Sequence, residues 1–204
     1  MSTTRAGSAR SPTSTRTCTI RSPPRCAPPA RARGRRAQAA PGARRVPLRR
    51  AALYPAYHVL EESGVPLVVH CGTSTFPGSA NEKADPAFLI PVLRDFSGLH
   101  VVLAHGGRGW WYDAAAFLAL AHDTVWLELS GLPPKRLPEY YARYDLARLA
   151  GRWMFGTDWP GVPGAANARN VAALLPAEAP DLVAAVLGGN ARRVYAGLPD
   201  IFPV

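Results

Sequence analysis

The sequence predicts an α/β fold of consecutive strand–helix units over residues 47–204, preceded by a disordered segment over residues 1–46. Three observations predict it: four short apolar runs that each end in a polar residue close to a glycine, helical stretches between those runs at crossover spacing, and an abrupt change of composition near residue 46.

The whole-chain figures of 24 Lys+Arg against 14 Asp+Glu, net charge +10 and 48% hydrophobic residues suggest a basic globular protein. The average misleads, because residues 1–50 hold 13 Arg and no acid, while residues 51–204 carry a net charge of −3. The two parts therefore need separate readings. No apolar run approaches the roughly 18 residues of a membrane-spanning helix, and Cys18, Cys26 and Cys71 are too few for a disulfide framework. Membrane proteins and disulfide-stapled secreted domains are thereby excluded. Sparse free cysteines and the lack of an apolar signal core point to the cytoplasm. The 154 residues after Arg50 can bury one core but fall short of the roughly 250 residues of a complete eight-stranded α/β barrel.

From Met1 to Arg45 the chain is nearly all Arg, Ser, Thr, Pro, Ala and Gly, with Ile20 as its only large aliphatic residue before Val46. Too little apolar surface is available to offset the entropy of ordering, so disorder is expected. An organelle transit peptide would need an amphipathic helix that these prolines oppose, and a nucleic-acid arm would want aromatic residues, of which none precedes Tyr54. The composition is best matched by GC-rich DNA translated outside its frame, so nucleic acid is not expected as a partner.

After Val46 the runs Val65–Gly72, Leu99–Gly107, Thr124–Gly131 and Arg152–Trp159 have the uniform apolarity of strands buried on both faces of a parallel sheet. Helices are expected at Tyr54–Ser63 with a stop at Gly64, at Pro86–Phe96 with Asp85 as cap, and at Tyr112–His122, Leu137–Ala150, Asn167–Leu175 and Pro180–Tyr195. Strand openings near residues 66, 100, 124 and 152 lie one strand–helix crossover apart.

His70, His105, Ser130 and Asp158 then fall at the carboxyl ends of successive strands, where parallel α/β architectures place their chemistry. Two imidazoles and a carboxylate suit a divalent metal such as zinc, which activates water and polarises carbonyls. His105 is a candidate ligand or acid/base, and Asp158 a candidate ligand and proton carrier. His58, His100 and His122 lack such company and are read as structural, and Cys71, on the opposite side of its strand from His70, is read as core packing. Trp110, Trp111, Tyr112 and Trp159 could equally line a pocket mouth or pack. Gly106-Gly107-Arg108-Gly109 lacks the residues of a phosphate loop, so no nucleotide is expected.

The ordered series His70-Cys71-Gly72, Ala104-His105-Gly106-Gly107, Leu129-Ser130-Gly131, Phe155-Gly156-Thr157-Asp158-Trp159-Pro160-Gly161 and Gly188-Gly189-Asn190-Ala191-Arg192-Arg193-Val194-Tyr195 resembles the amidohydrolase-related family of metal-dependent hydrolases and decarboxylases, the branch that includes aminocarboxymuconate semialdehyde decarboxylase. The likeness runs from about Leu53 to Leu198. It implies a partial TIM-type (β/α)8 barrel, strands five to eight, with His70, His105 and Asp158 as metal ligands, His105 and Asp158 as catalytic groups, and the Gly-Gly-Asn-Ala segment as the closing helix. The His-x-His pair with which the family opens has no counterpart among the five histidines here. Half a barrel would also expose two sheet edges and an apolar inner face.

The resulting expectation is the carboxyl-terminal half of a zinc-type hydrolase acting on a small carbonyl or carboxylate substrate, weakly active or inactive by itself. Phe76, Asn81, Trp110, Trp111 and Ser130 would line its substrate pocket. A decarboxylase using the same groups is the first alternative; a non-catalytic half-barrel that pairs with itself or with a separate first half is the second.

Overall fold

The computed structural model describes residues 38–39, 50–159, 164–196 and 198. Five parallel strands, β1 (Gln38–Ala39), β2 (Leu67–Gly72), β3 (Val101–Arg108), β4 (Val125–Glu128) and β5 (Trp153–Met154), form one sheet in the order β1-β2-β3-β4-β5. Each strand therefore lies beside its predecessor. This singly wound order is that of a barrel segment rather than of a doubly wound sheet, whose strand order reverses at a switch point. The four expected strands are present, each starting one or two residues inside its predicted run.

β1 is additional. Gln38 and Ala39 pair with Val68 and Val69 at the edge of the sheet. The rest of the 1–46 expectation lies outside the described residues.

The helices are α1 (Tyr54–Ser63), α2 (Ile90–Asp95), α3 (Tyr112–Ala121), α4 (Leu137–Tyr140), α5 (Leu146–Ala150), α6 (Gly164–Ala172), α7 (Pro180–Ala184) and α8 (Asn190–Val194). α1 stops where expected, with Gly64 at φ +66° and its N–H turned back to the Glu61 and Leu60 carbonyls. Asp85 caps a 3₁₀ turn over Pro86–Leu89, its carboxylate accepting the Ala87 N–H at 2.8 Å, before α2 continues. The single helix expected over 137–150 is instead two. Asp145 accepts the Arg148 N–H at 2.8 Å and caps a new helix, and the intervening Tyr141 turns inward to full burial. The stretch expected as one helix over 180–195 is broken between α7 and α8 by a kink at Gly188, whose φ of 177° and ψ of −26° are not helical.

Alternation along the strands creates two faces. Leu67, Val69, Val101, Leu103, Val125, Leu127 and Trp153 belong to the main core, together with Tyr57, Val92, Leu93, Ala115, Leu118 and Leu149 from the helices. The opposite face presents Val68, Val102, Trp126 and Met154, against which Ala191 and Val194 of α8 and Tyr195 just after it pack. The apolar inner face expected to lie open is thus covered in part by α8. Asn190 anchors that helix, donating to the carbonyls of Trp153 at 2.8 Å and Gly151 at 3.3 Å from 1% exposure. Among the described residues no helix is long and apolar enough to cross a membrane.

Candidate active site

Register places four residues in one row across the inner face: His70 pairs with Ala104, Ala104 with Glu128, and Glu128 with Met154. Past this row β3 carries a bulge, because the next pairing joins Gly72 to Arg108. His105, Gly106 and Gly107, with φ of +67°, +52° and +83°, stand opposite the single residue Cys71, so the bulge holds two extra residues. Simple alternation would send His105 to the helix side, opposite Ala104. The left-handed turn sends it back to the inner side, where it lines a cavity of about 280 Å³ together with Ala104, Glu128, Ser130, Gly156 and Asp158.

Asp158 is the second such case. Among the described residues, His105 and Asp158, at φ +56°, are the two positions other than glycine with positive φ. Such backbone is costly for residues with a Cβ and is tolerated best by Asn, Asp and His, and it concentrates at functional sites. A third element comes from Gly131. The point that a Cβ on this residue would occupy lies 2.6 Å from Arg108 Nη1, 3.3 Å from Asp158 Oδ2 and 3.4 Å from His105 Nδ1. A cation, a carboxylate and an imidazole thus converge on one bare backbone position. Arg108 is held there by donating Nε–H and Nη2–H to the Thr73 carbonyl at 3.2 and 3.0 Å.

The His105 ring is 8% exposed, and its Nδ1 lies 2.9 Å from the Ser130 carbonyl and 3.1 Å from Ser130 Oγ. Ser130 Oγ lies 2.6 Å from Glu128 Oε2 in turn. A carbonyl can only accept, so Nδ1 carries the proton and the imidazole cannot serve as the base for the Ser130 hydroxyl. A serine nucleophile of the Ser-His-acid kind is therefore not what this arrangement provides. Burial pushes the Glu128 carboxyl above the ordinary carboxylate range, against the opposing pull of the Ser130 hydroxyl and His105.

His70 contacts His105 ring to ring, with centroids 4.8 Å apart and a T-shaped geometry, and its Nε2 donates to the Gly72 carbonyl at 3.0 Å. His70, His105 and Asp158 do not close into a set of metal donors: among the described residues no group of three or more His, Cys, Asp or Glu side chains could hold an ion. The residues present accordingly do not fit a complete catalytic metal site, which needs three protein ligands and an open position.

Of the expected pocket residues, Ser130 lines the cavity. Asn81, Trp110 and Trp111 are outside its lining. Asn81 braces its own loop, accepting the Ser74 N–H at 2.8 Å and donating to the Ser74 carbonyl at 3.1 Å. Trp110 and Trp111 pair edge to face at 5.4 Å, and Trp110 and Phe76 are exposed. The remaining histidines stand elsewhere: His58 faces Glu62 on α1 at 3.4 Å, His100 accepts from Trp126, and His122 ends α3. Cys71 is fully buried in the main core.

A singly wound parallel sheet with its polar groups gathered at the carboxyl ends defines a TIM-barrel type of α/β protein. The amidohydrolase family model matches residues 22–197, and the chain belongs to that family. The match begins within the Arg-rich segment, upstream of the likeness legible in the motifs. Among solved structures, an uncharacterised TIM-barrel protein from Bordetella bronchiseptica is 27% identical over 74% of this chain and 52% of its own, with a TM-score of 0.57. A 2,6-dihydroxybenzoate decarboxylase from Rhizobium is 16% identical over 72% and 56%, with a TM-score of 0.52. A 4-oxalomesaconate hydratase from Rhodopseudomonas palustris is 20% identical over 74% and 52%, with a TM-score of 0.51. The last two share the fold. The chain spans about half the length of these structures. No curated protein matches it.

Proposed function

We propose that this chain carries the carboxyl-terminal part of the active site of a metal-dependent hydrolase acting on a small carbonyl or carboxylate-type substrate. One observation carries the reading: the two residues other than glycine in left-handed backbone among the described residues, His105 and Asp158, are those expected at strand ends as acid/base candidates, and both line one cavity. Asp158 would handle the proton of the attacking water and His105 would serve as ligand or acid/base, both lining that cavity. Arg108, beside them, would orient a substrate carboxylate. A divalent metal, zinc in the first instance, belongs to the reading through the family and through the donor chemistry of His70, His105 and Asp158. Because those three do not close on one ion, no step is assigned to it, and further donors would have to come from outside the described residues, in a first barrel half or a partner copy.

The test is to incubate the full chain with zinc, measure bound metal after desalting, and assay amide, ester and carboxylate substrates for hydrolysis and for CO₂ release. Weak metal binding lost in Asp158→Ala, with hydrolysis products, supports the reading. Stoichiometric metal unchanged in Asp158→Ala would sink the site, and CO₂ release without hydrolysis would assign the chain to C–C cleavage instead. A stable dimer with neither metal nor turnover would leave a non-catalytic half-barrel.

A further inference from the structure

Glu128 is a half-buried acid in an otherwise apolar strand, and no lysine or arginine among the described residues pairs with it. Its carboxylate is occupied otherwise. Oε1 accepts the Ser130 N–H at 2.9 Å, and Oε2 accepts the Ser130 hydroxyl at 2.6 Å and the His105 N–H at 3.4 Å. All three donors belong to the two residues that face each other across the end of the sheet. The seat is built for the carboxylate as well, since a Cβ on Gly156 would collide with Glu128 Oε1.

We propose that Glu128 is the positioning residue of the site: through Ser130 it holds the His105 ring in its Nδ1–H tautomer and leaves Nε2 as the ring's acting nitrogen. The direction of each bond follows from what each atom can do. The Ser130 carbonyl only accepts, so Nδ1 donates; shared between that carbonyl at 2.9 Å and Oγ at 3.1 Å, the same N–H makes Oγ an acceptor. The Ser130 hydroxyl proton is then given to Glu128 Oε2 at 2.6 Å. The carboxylate thus ends a one-way chain from His105 through Ser130. Its two remaining bonds hold the main chain of both residues, so the carbonyl that receives Nδ1–H is kept in place by the same side chain. Nε2 has no hydrogen-bond partner among the described residues. A histidine so fixed presents one defined nitrogen to a substrate or ion, as buried imidazoles in working sites require.

The inference rests on the reading of His105 as the acting imidazole, but its test observes the ring and needs no turnover. Histidine-selective ¹⁵N labelling of the full chain, with His105 assigned by its loss in His105→Gln, reports which ring nitrogen carries the proton. The wild type should show Nδ1–H at neutral pH. Glu128→Gln has one acceptor oxygen for three donors, so the Nε2–H fraction should rise about tenfold, the effect of one lost hydrogen bond. Ser130→Ala should shift it the same way, and Ser130→Thr, which keeps a hydroxyl, should restore the wild-type ratio. An Nε2–H tautomer in the wild type, which requires no variant to fold, overturns the proposal, as does an unchanged ratio in folded Glu128→Gln. A correct tautomer in a protein without turnover would overturn the functional reading and leave this inference intact.

Discussion

The Tyr141 hydroxyl donates to the Gly106 carbonyl at 2.7 Å, joining the break between α4 and α5 to the bulge that carries His105. Tyr141 is fully buried, and burial pushes its phenol well above the usual range, so the group serves as a neutral donor. No solvent is available to replace it at the glycine. Tyr141→Phe keeps the ring and removes the donor, leaving a buried carbonyl without its partner. Urea unfolding should show a loss of about 1–2 kcal/mol at unchanged m-value. A midpoint equal to the wild type would mean that the bulge does not depend on this bond.

Gly131 has the space problem already described and φ of +68°. Alanine there should cost the strain of left-handed backbone, about 1–2 kcal/mol, and in addition displace Arg108, whose Nη1 lies 2.6 Å from the new Cβ. Gly78 supplies the control, because its φ is +80° and nothing lies within 4 Å of its Cβ position. Gly131→Ala should therefore be the more destabilising of the two substitutions in parallel thermal melts. Equal losses would show that backbone strain accounts for the whole effect and that Arg108 is not crowded.

Much of this fold was legible in the chain because buried parallel strands write themselves as continuous apolar runs, and because glycine and aspartate punctuate at Gly64 and Asp85 for reasons of backbone geometry. The break at 141–145 was not, since Asp145 reads equally well inside a helix or at its cap, and only the burial of Tyr141 decides. At the site, His105 could be named from its position at a strand end, but not the bulge that aims it: alternation alone sends it to the wrong face. Glu128 was missed although its signal was present. It is the only charged residue within Val125–Leu129 and shares the parity of Trp126, which places it on the inner face. Arg108 was passed over with the glycine-rich string around it, and its role depends on the turn at Gly131, which no spacing rule predicts.

Cys71 offers a test of the core. It is fully buried beneath the helices, and burial pushes its thiol far up, so the reactive thiolate is suppressed. In a Cys18→Ser, Cys26→Ser background, where Cys71 is the one remaining thiol, a disulfide reagent should react negligibly with the native protein and fully in denaturant. Rapid native reaction would mean that the packing of β2 against the helices opens readily.

His100 sets a pH dependence. Trp126 Nε1–H donates to His100 Nδ1 at 3.3 Å, which requires that nitrogen to be unprotonated, and burial lowers the ring's pKa. The folded protein thus binds this proton more weakly than the unfolded chain, whose histidine titrates near 6.5. The stabilisation is fully present above that unfolded value and is lost as pH falls through the lowered folded one, because protonation of the unfolded state then pulls the equilibrium. His100→Gln has no ring to titrate. The difference in unfolding free energy between wild type and variant should shrink as pH is taken from 8 to about 5. A difference that stays constant across that range would place the proton dependence on other groups.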